Sequence, residues 1–448
     1  MQHPYIPNTP EIEKQMLEEI GYESIDDLFA DIPEEVRLDR ELNLPKAKSE
    51  LEIRNYLTGL SKKNCSLSEL TNFLGAGAYD HYIPSVVGHI TGRSEFYTSY
   101  TPYQPEISQG TLQYIFEFQT LICSLTGMDI ANASLYDGGT AVAEAALLAV
   151  AHSRKKEVII SKSVRPEARQ ILQTYAHVQD IKVIEIDVKD GVTDIDQLKE
   201  NVSDDTAAVI VQSPNFFGVI EDLKSLTEVA HTGKKTSMIA SVNPISLGIL
   251  EKPSTFDVDI VVGEGQPLGI TVQFGGPYLG FMATKKDYMR KLPGRIVGET
   301  TDLDGKRSFV LTLSAREQHI RREKATSNIC SNQGLNSLAA AVYMVTMGKE
   351  GLKEVAMQSA QKAHYAFNEL TKSGKFKPLF DKPFFNEFVV TSDIKPIKIT
   401  TALRHEDIQG GYDVGKVYPE YENAVMYAVT EKRTKEDIDK LSSVLEGI

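Results

Sequence analysis

The stretch VDIVVGEGQPLG, residues 258–269, places a short apolar run directly before a turn framed by glycines. The β-branched run from Val258 to Val262 predicts a buried strand, and the segment 263–269 predicts a tight turn at its carboxyl end. In open α/β sheets, ligands bind at the carboxyl ends of such strands. The turn nevertheless contains no lysine, serine, cysteine or histidine, so it has the form of a ligand-binding turn without a reactive side chain.

Four more short runs rich in β-branched residues precede this strand: EVIIS (157–161), KVIEID (182–187), AAVIVQ (207–212) and SMIASV (237–242). Helical patterns accompany them at 140–153, 166–177, 193–202 and 222–232. This alternation predicts an α/β fold with a large, mostly parallel, doubly wound sheet. The runs GFMATK (280–285) and SFVLTL (308–313) are candidates for antiparallel strands.

The length of 448 residues is too great for one compact core and indicates several domains. We predict an N-terminal helical arm over 1–75, a large α/β domain over 76–330 and a smaller C-terminal α/β domain over 331–448. Capping signals mark the arm at Thr9-Pro10, at 24–27 and at 66–69.

The composition excludes several classes of protein. A net charge of −14 argues against general nucleic-acid binding. Cys65, Cys123 and Cys330 are odd in number and widely spaced, which predicts reduced thiols in a cytoplasmic protein without a zinc site. The N-terminus lacks the pattern of a secretory signal, and no apolar run is long enough to predict a membrane span.

The stretch YDGGTAVAEAALLA (136–149) places Gly138, Gly139 and Thr140 at the start of a predicted helix. Free backbone N–H groups and the helix dipole make such a start a candidate anion site. A plain turn followed by a helix cap explains the same residues. The loop PNFFGVIED (214–222), after a predicted strand, likewise suits either a ligand loop or a simple connection.

An aromatic loop with polar tips occupies 93–110, and we call it the tyrosine loop. It holds Tyr97, Tyr100, Tyr103, Gln104 and Glu106. Such side chains suit a binding wall or a protein interface, and a packed loop without function is the alternative.

The segment 314–328 is the densest basic run in this acidic chain, and it includes Arg316 and Arg322. A solvated helix face is the usual explanation for such a run. The more specific hypothesis is that the run contacts an anionic cofactor or an acidic partner. His319, in the same run, is interpreted as structural.

These segments together resemble one family, the glycine-decarboxylating P-protein of the glycine cleavage system, and within it the alpha subunit, which corresponds to the N-terminal half. The segments that carry the resemblance are YTPYQPEISQG (100–110), SLYDGGTAVAEA (134–145), PNFFGVIED (214–222), GEGQPLG (263–269), FGGPYLGF (274–281) and REQHIRREKATSNICSNQ (316–333). They occur in order and span most of the chain.

The resemblance implies a fold-type I pyridoxal-phosphate architecture and explains the unreactive turn. In the companion subunit a His-Lys pair follows the corresponding strand, and that lysine forms the Schiff base with the cofactor. Here the pair falls on Gln266-Pro267. The aspartate that would hold the cofactor's ring nitrogen falls at Ala240 or at either neighbour. The turn formed by Gly263, Glu264, Gly265 and Gln266 is therefore interpreted as the relic of a cofactor site.

The function implied by the resemblance is that of a subunit of glycine dehydrogenase (aminomethyl-transferring). The assembled enzyme would decarboxylate glycine on pyridoxal phosphate held by the companion beta subunit, in an α2β2 assembly. It would then transfer the aminomethyl group to the lipoyl arm of H-protein, with the tyrosine loop as part of the active-site wall. Two alternatives stay open: a self-sufficient enzyme that uses Lys252, Lys285, Lys286 or Lys324, and a purely scaffolding or regulatory chain.

Overall fold

The computed structural model describes residues 5–38, 40–273, 275–329 and 332–448. The chain forms two compact units, Met1–Cys65 and Ser66–Ile448. The second unit therefore begins ten residues before the end of the predicted arm. The strand at 71–73 explains this difference, because Phe73 within it is fully buried.

The α-helices of the described residues, numbered in chain order, are α1 Pro10–Ile20, α2 Glu50–Ser61, α3 Ser85–Thr91, α4 Ser94–Tyr97, α5 Gln109–Thr126, α6 Gly138–Ser153, α7 Pro166–Gln179, α8 Ile195–Asn201, α9 Leu223–Ala230, α10 Gln318–Arg321, α11 Gly334–Thr371, α12 Pro396–His405 and α13 Lys435–Glu446.

The strands are β1 Thr71–Phe73, β2 Ile130–Ala131, β3 Glu157–Ser161, β4 Lys182–Ile186, β5 Val188–Lys189, β6 Val192–Thr193, β7 Thr206–Gln212, β8 Ser237–Val242, β9 Ile260–Glu264, β10 Gly280–Thr284, β11 Ile296–Thr301, β12 Arg307–Thr312, β13 Lys377–Pro378, β14 Glu387–Thr391, β15 Ile408–Gly410, β16 Tyr412–Asp413 and β17 Ala424–Ala428.

In the first unit, helix α1 begins as the sequence predicts. The Oγ1 of Thr9 accepts a hydrogen bond from the N–H of Ile12, and Pro10 occupies the first turn. Helix α2 begins at a capping box in which the backbone N–H of Ser49 donates to Glu52.

The large sheet of the second unit has, within the described residues, seven strands in the order β2-β10-β9-β8-β7-β3-β4. The strands β4, β3, β7, β8 and β9 are parallel, and β10 runs antiparallel to β9 and β2. The predicted parallel sheet and the predicted antiparallel strand at 280–285 are both confirmed. The strand predicted at 308–313 also forms, but it pairs with β11 in a separate hairpin.

The sheet is buried on both faces, which is why its strands are continuously apolar. Helix α6 packs on one face, and its small side chains at 141, 145 and 149 are fully buried. Helix α11 packs against the other face through Ala340 and Tyr343. The helix predicted after 333 is longer than its apolar stretch, and Gly348 interrupts it with a φ of 59°.

A smaller sheet in the C-terminal region has the order β13-β14-β17-β16 and packs against α11, α12 and α13. The strand β1 joins this region by pairing in parallel with β15. Residues 71–73 thus belong structurally with the C-terminal region, although they lie in the predicted arm.

Other features bear on the sequence predictions. None of the described helices is long and apolar enough to cross a bilayer. Across the same residues, no group of three or more His, Cys, Asp or Glu side chains could hold a metal ion. Cys65 and Cys123 are free thiols, and Cys330 lies outside the described residues.

Candidate functional site

The order of the large sheet reverses between β3 and β7, which are neighbours although the chain forms β4 between them. Such a reversal opens a crevice at the carboxyl ends of the strands. A cavity of about 40 Å³ lies there, and we call it the sheet-edge cavity. A volume of this size has room for a few water molecules. Its walls include Gly138, Arg165, Gln212, Ser241, Asn243, Glu264, Pro267 and Glu387.

The glycine-framed turn after β9 places Pro267 in the wall of this cavity. Proline offers neither an amine nor a backbone N–H. The side chain of Gln266 is 1% exposed, and its Oε1 accepts from the N–H of Tyr79 at 2.8 Å. Its Nε2 donates to the carbonyls of Tyr79 at 3.0 Å and Ile270 at 2.7 Å. Gln266 is therefore engaged by the backbone, and it anchors the turn to the segment around Tyr79.

The position predicted to lack the ring-nitrogen aspartate lies at the end of β8. Ala240 is fully buried in the core, while Ser241, one residue further on, lines the cavity. None of the residues 239–241 carries a carboxylate. The wall at this point is consequently formed by a hydroxyl group.

Glu264 bridges the turn and the start of α6. Its Oε2 accepts from the N–H of Gly138 at 3.0 Å, and its Oε1 accepts from the N–H groups of Gln266 at 3.0 Å and Leu279 at 3.1 Å. Asp137 meanwhile accepts from the N–H of Thr140 at 2.7 Å. The first turn of α6 thus donates to two carboxylates of the protein itself.

The paired glycines at the start of α6 are explained by close packing. A Cβ on Gly138 would lie 2.9 Å from the backbone nitrogen of Glu264, and a Cβ on Gly139 would lie 2.6 Å from Ile171. The contact at Gly138 is with backbone and excludes a larger residue, whereas the contact at Gly139 would require the end of the Ile171 side chain to shift. The structure therefore provides a packing reason for the glycines that the sequence presents as a candidate anion site.

Two buried carboxyl groups and one guanidinium line the cavity. Glu387 accepts from the N–H of Ala76 at 2.7 Å and from the hydroxyl of Tyr79 at 2.7 Å. Burial raises the pKa of Glu264 and that of Glu387 to about 7, and the positive charge of Arg165 opposes both shifts. With Tyr79, which also lines it, the cavity has ionisable groups from four distant segments.

Pyridoxal phosphate, the cofactor implied by the resemblance, does not fit this chain's residues. The wall offers Pro267 where the resemblance implies an amine, and none of residues 239–241, where it implies a carboxylate, carries one. Glu264 already accepts from the N–H of Gly138 at the start of α6. The remaining volume of about 40 Å³ suits water, for which the Nδ2 of Asn243, without a partner among the described residues, is a suitable donor.

The free energy of unfolding is expected to fall as the pH rises from 4.5 to 7. Each of these carboxyls has an ordinary pKa of 4.5, raised to about 7 by burial, so in this window the folded chain binds protons that the unfolded chain has lost. The contribution is fully present below pH 4.5 and is lost as the pH rises through 7, at about 1.4 kcal/mol per pH unit for each group. Denaturant unfolding at a series of pH values measures the slope.

Glu387→Gln is the variant that tests this assignment. The amide can still accept from Ala76 and can donate to the oxygen of Tyr79, so the fold should persist. We expect its slope to be shallower by about 1.4 kcal/mol per pH unit. An unchanged slope would contradict the assignment of Glu387.

The tyrosine loop lines a different cavity, of about 340 Å³, which we call the tyrosine cavity. Tyr97 and Tyr100 contribute to its wall and are 57% and 75% exposed. Tyr114 and Asn336 contribute from helices α5 and α11. Gln104 and Glu106 are exposed on the same loop but do not line the cavity. Of the five predicted loop residues, Tyr97 and Tyr100 therefore line the cavity, and Tyr103, Gln104 and Glu106 do not.

Arg295 connects the tyrosine loop to the basic run. It is 4% exposed, lines the tyrosine cavity and donates from Nη2 to the hydroxyl of Tyr103 at 3.2 Å. Its guanidinium lies over the ring of Tyr103, and its Nε lies 3.7 Å from Oε2 of Glu317. The ring of Tyr103 also meets that of His319 edge to face. The two motifs therefore form one surface around a buried cation.

The basic run is divided between interior and surface. Arg316 is buried and donates to the carbonyl of Leu292, and burial lowers the pKa of its guanidinium. Arg322, with Arg321 and Lys324, is exposed. The α-helix in this run, α10, has only four residues and begins after Arg316. Arg316 is therefore not part of a solvated helix face.

Sequence reasoning missed Arg165, Glu387 and Arg295. Arg165 directly precedes the proline at the first turn of α7, and Glu387 begins β14, so neither lies in a recognisable motif. Arg295 follows the turn before β11. The sequence does show a charged residue, Glu387, at the start of an apolar strand. This pattern is also common at protein surfaces, so it does not by itself indicate a buried carboxyl group.

Comparison with known proteins places these features in one family. The family model described as glycine cleavage system P-protein matches residues 3–445. A relative from Geobacillus sp. (strain WCH70), named "Probable glycine dehydrogenase (decarboxylating) subunit 1", is 58% identical over 98% of this chain and 98% of its own length.

Solved structures agree with that match. A crystal structure of glycine decarboxylase (P-protein) of the glycine cleavage system, in inhibitor-bound form, is 41% identical with a TM-score of 0.91, over 99% of this chain and 100% of the other. A C-DES mutant with glycine covalently linked to its pyridoxal-phosphate cofactor shares the fold, with a TM-score of 0.62 and 16% identity, over 85% of this chain and 97% of that one. The predicted fold class is confirmed.

Proposed function

Because this chain belongs to the glycine cleavage system P-protein family, we propose that it is the subunit that does not carry the cofactor. The chain is a subunit of a decarboxylating glycine dehydrogenase, like its relatives, and so works with a companion subunit. The observation that carries the proposal is Pro267 in the wall of the sheet-edge cavity, at the position where the resemblance implies a Schiff-base lysine. Pyridoxal phosphate, when bound by the companion, supplies the electron sink for loss of carbon dioxide from glycine.

The contribution of this chain to catalysis is the tyrosine cavity. Tyr97 and Tyr100 present exposed rings and hydroxyls, and Arg295 adds a buried positive charge to the wall of the same cavity. Such a surface suits the wall of an active site completed across a subunit interface, with one companion per chain in an α2β2 assembly. Its rings exclude water from the path of a lipoyl arm, and its hydroxyls and guanidinium orient the carboxylate of glycine.

The exposed basic side chains beside this wall suit an acidic carrier, which we identify with the lipoylated H-protein. Arg321, Arg322 and Lys324 are exposed close to His319, whose ring contacts Tyr103. Opposite charges at the rim of an interface accelerate association and set orientation. This surface would thus bring the lipoyl arm to the tyrosine cavity.

Borohydride reduction of this chain in the presence of pyridoxal phosphate is expected to leave no stoichiometric cofactor adduct on any lysine. The reason is that Pro267 stands where the amine would be, and Lys252, Lys285, Lys286 and Lys324 do not line the sheet-edge cavity. Peptide mass mapping of the reduced chain makes the measurement, and the companion subunit, treated identically, is the positive control. A single fully modified lysine in this chain would support the alternative of a self-sufficient enzyme.

Arg322→Ala should weaken the use of H-protein by the assembled enzyme and reduce its dependence on ionic strength. An exposed interface charge acts mainly on the rate of association, so we expect a several-fold higher KM for H-protein at low salt and little change in kcat. Lys224→Ala, at an exposed position on α9, is the matched control. Salt profiles for Arg322→Ala that match wild type would rule out a docking role for this residue.

A purely scaffolding chain is the second candidate. For the sheet-edge cavity, the scaffolding role is favoured because the side chains of Gln266 and Glu264 are engaged by backbone groups. The exposed aromatic surface at the tyrosine cavity favours the catalytic-wall proposal, because exposed tyrosines contribute little to the packing of their own chain.

A further inference from the structure

A third cavity, of about 380 Å³, lies between helices α6 and α7 and the segment 323–329. We call it the Glu144 cavity. It shares no lining residue with the sheet-edge cavity or the tyrosine cavity among the residues that the structure describes. Its contents are therefore not explained by either site discussed above.

Glu144 occupies the wall of this cavity and is 4% exposed. The hydroxyl of Ser327 donates to its Oε1 at 3.0 Å. No described residue donates to its Oε2. A buried carboxylate oxygen without a donor is costly, and the cost is removed by a ligand that brings a donor or a positive charge.

The charge of the lining selects the kind of ligand. Glu323 adds a second carboxylate, and Tyr136 and Tyr175 add phenol rings. Lysine, arginine and histidine are missing from the described lining. The pKa of Tyr175 is raised by burial and then by the negative charges of Glu144 and Asp137. Its lining therefore contributes negative charge and aromatic rings, which favour a cation, although the exposed Arg322 and Lys324 flank Glu323 outside the lining.

Apolar groups complete the wall. Leu147 lies one turn after Glu144 on α6, and Val178 and Ile329 contribute from α7 and from the loop. A hydrated inorganic cation gains nothing from contact with apolar groups. An aliphatic chain that ends in an ammonium matches both the carboxyl part and the apolar part of the lining. We propose that the Glu144 cavity binds an alkylammonium group, with the ammonium at Glu144 and the methylenes against Leu147 and Val178.

Alkylammonium groups come from two sources, a small amine or a lysine side chain of a partner protein. The chemistry of recognition is the same, so one probe tests the site and a second arm separates the sources. The proposal does not depend on the role of the tyrosine cavity, because Glu144 belongs to a separate wall.

The test is calorimetric titration of the full-length chain with n-butylammonium chloride. Burial raises the pKa of the Glu144 carboxyl to about 7, opposed by the hydrogen bond from Ser327, so ammonium binding must compete with a proton. We expect the affinity to increase about tenfold from pH 6 to pH 8 and protons to be released on binding at pH 6.5. The other ionisable groups that line the cavity, Glu323, Tyr136 and Tyr175, enter the same electrostatic balance.

Glu144→Gln keeps an acceptor for Ser327 and is expected to lower the affinity for n-butylammonium at least tenfold at pH 8. Glu200→Gln, at an exposed position on α8, is the matched control and should bind like wild type. Equal binding by both variants, or wild-type binding that does not change with pH, would overturn the proposal. Because the pH profile needs no variant, the proposal stays testable even if Glu144→Gln folds poorly.

The second arm repeats the titration on the chain assembled with its companion subunit. Loss of n-butylammonium binding assigns the cavity to a lysine of the companion, whereas retained binding assigns it to a small amine. Sodium chloride at the same concentrations is the control for a nonspecific ionic effect, and equal heats from both salts would also count against the proposal.

Discussion

Tyr100→Phe is expected to lower glycine–bicarbonate exchange by the assembled enzyme about 10²-fold, the order seen when one orienting hydrogen bond to a reacting group is lost. Tyr100 is 75% exposed and lines the tyrosine cavity, so its hydroxyl is available to a substrate or a partner. Removing one oxygen atom leaves the ring in place. The change should therefore affect rate without affecting assembly.

Exchange of labelled bicarbonate into glycine, measured on complex purified by gel filtration, checks this result. Tyr82→Phe is the matched control, since Tyr82 is 62% exposed but lines another cavity. Unchanged exchange in Tyr100→Phe would assign the chain to the scaffolding class. Loss of assembly would instead identify the tyrosine loop as an interface element.

Gln266→Ala is expected to reduce the free energy of unfolding by about 3 kcal/mol. Truncation leaves the N–H and carbonyl of Tyr79 and the carbonyl of Ile270 without their side-chain partner. It also opens a hole at a position that is 1% exposed. Unpaired buried polar groups and a new cavity both destabilise the folded state.

Denaturant unfolding monitored by circular dichroism measures this change. Gln113→Ala is the control, because Gln113 is exposed on α5 and bonds only to the exposed Glu117 in the described structure. Its effect should stay within about 0.5 kcal/mol. A similarly small effect for Gln266→Ala would mean that the turn after β9 does not depend on its bond to Tyr79.

These two residues show different limits of sequence reasoning. Tyr100 lies in a loop whose aromatic and polar residues are neighbours in the sequence. The sequence therefore predicts a binding wall or a protein interface there. Gln266 was predicted as the remnant of a lost His-Lys pair, and its present partner Tyr79 lies 187 residues away in the chain. No local pattern indicates such a partner.

The sequence by itself determined the alternation of strands and helices, the cap at Thr9, the family, and the proline at position 267, where the resemblance implies an amine. These follow from side-chain periodicity, turn chemistry and residue identity, which act over a few residues. Only the tertiary structure decided that Glu264, Glu387 and Arg165 meet in one cavity, and that Arg295 contacts Tyr103 of the tyrosine loop. It also decided the raised pKa values of the buried carboxyls, because these depend on desolvation and on charges brought together from distant segments of the chain.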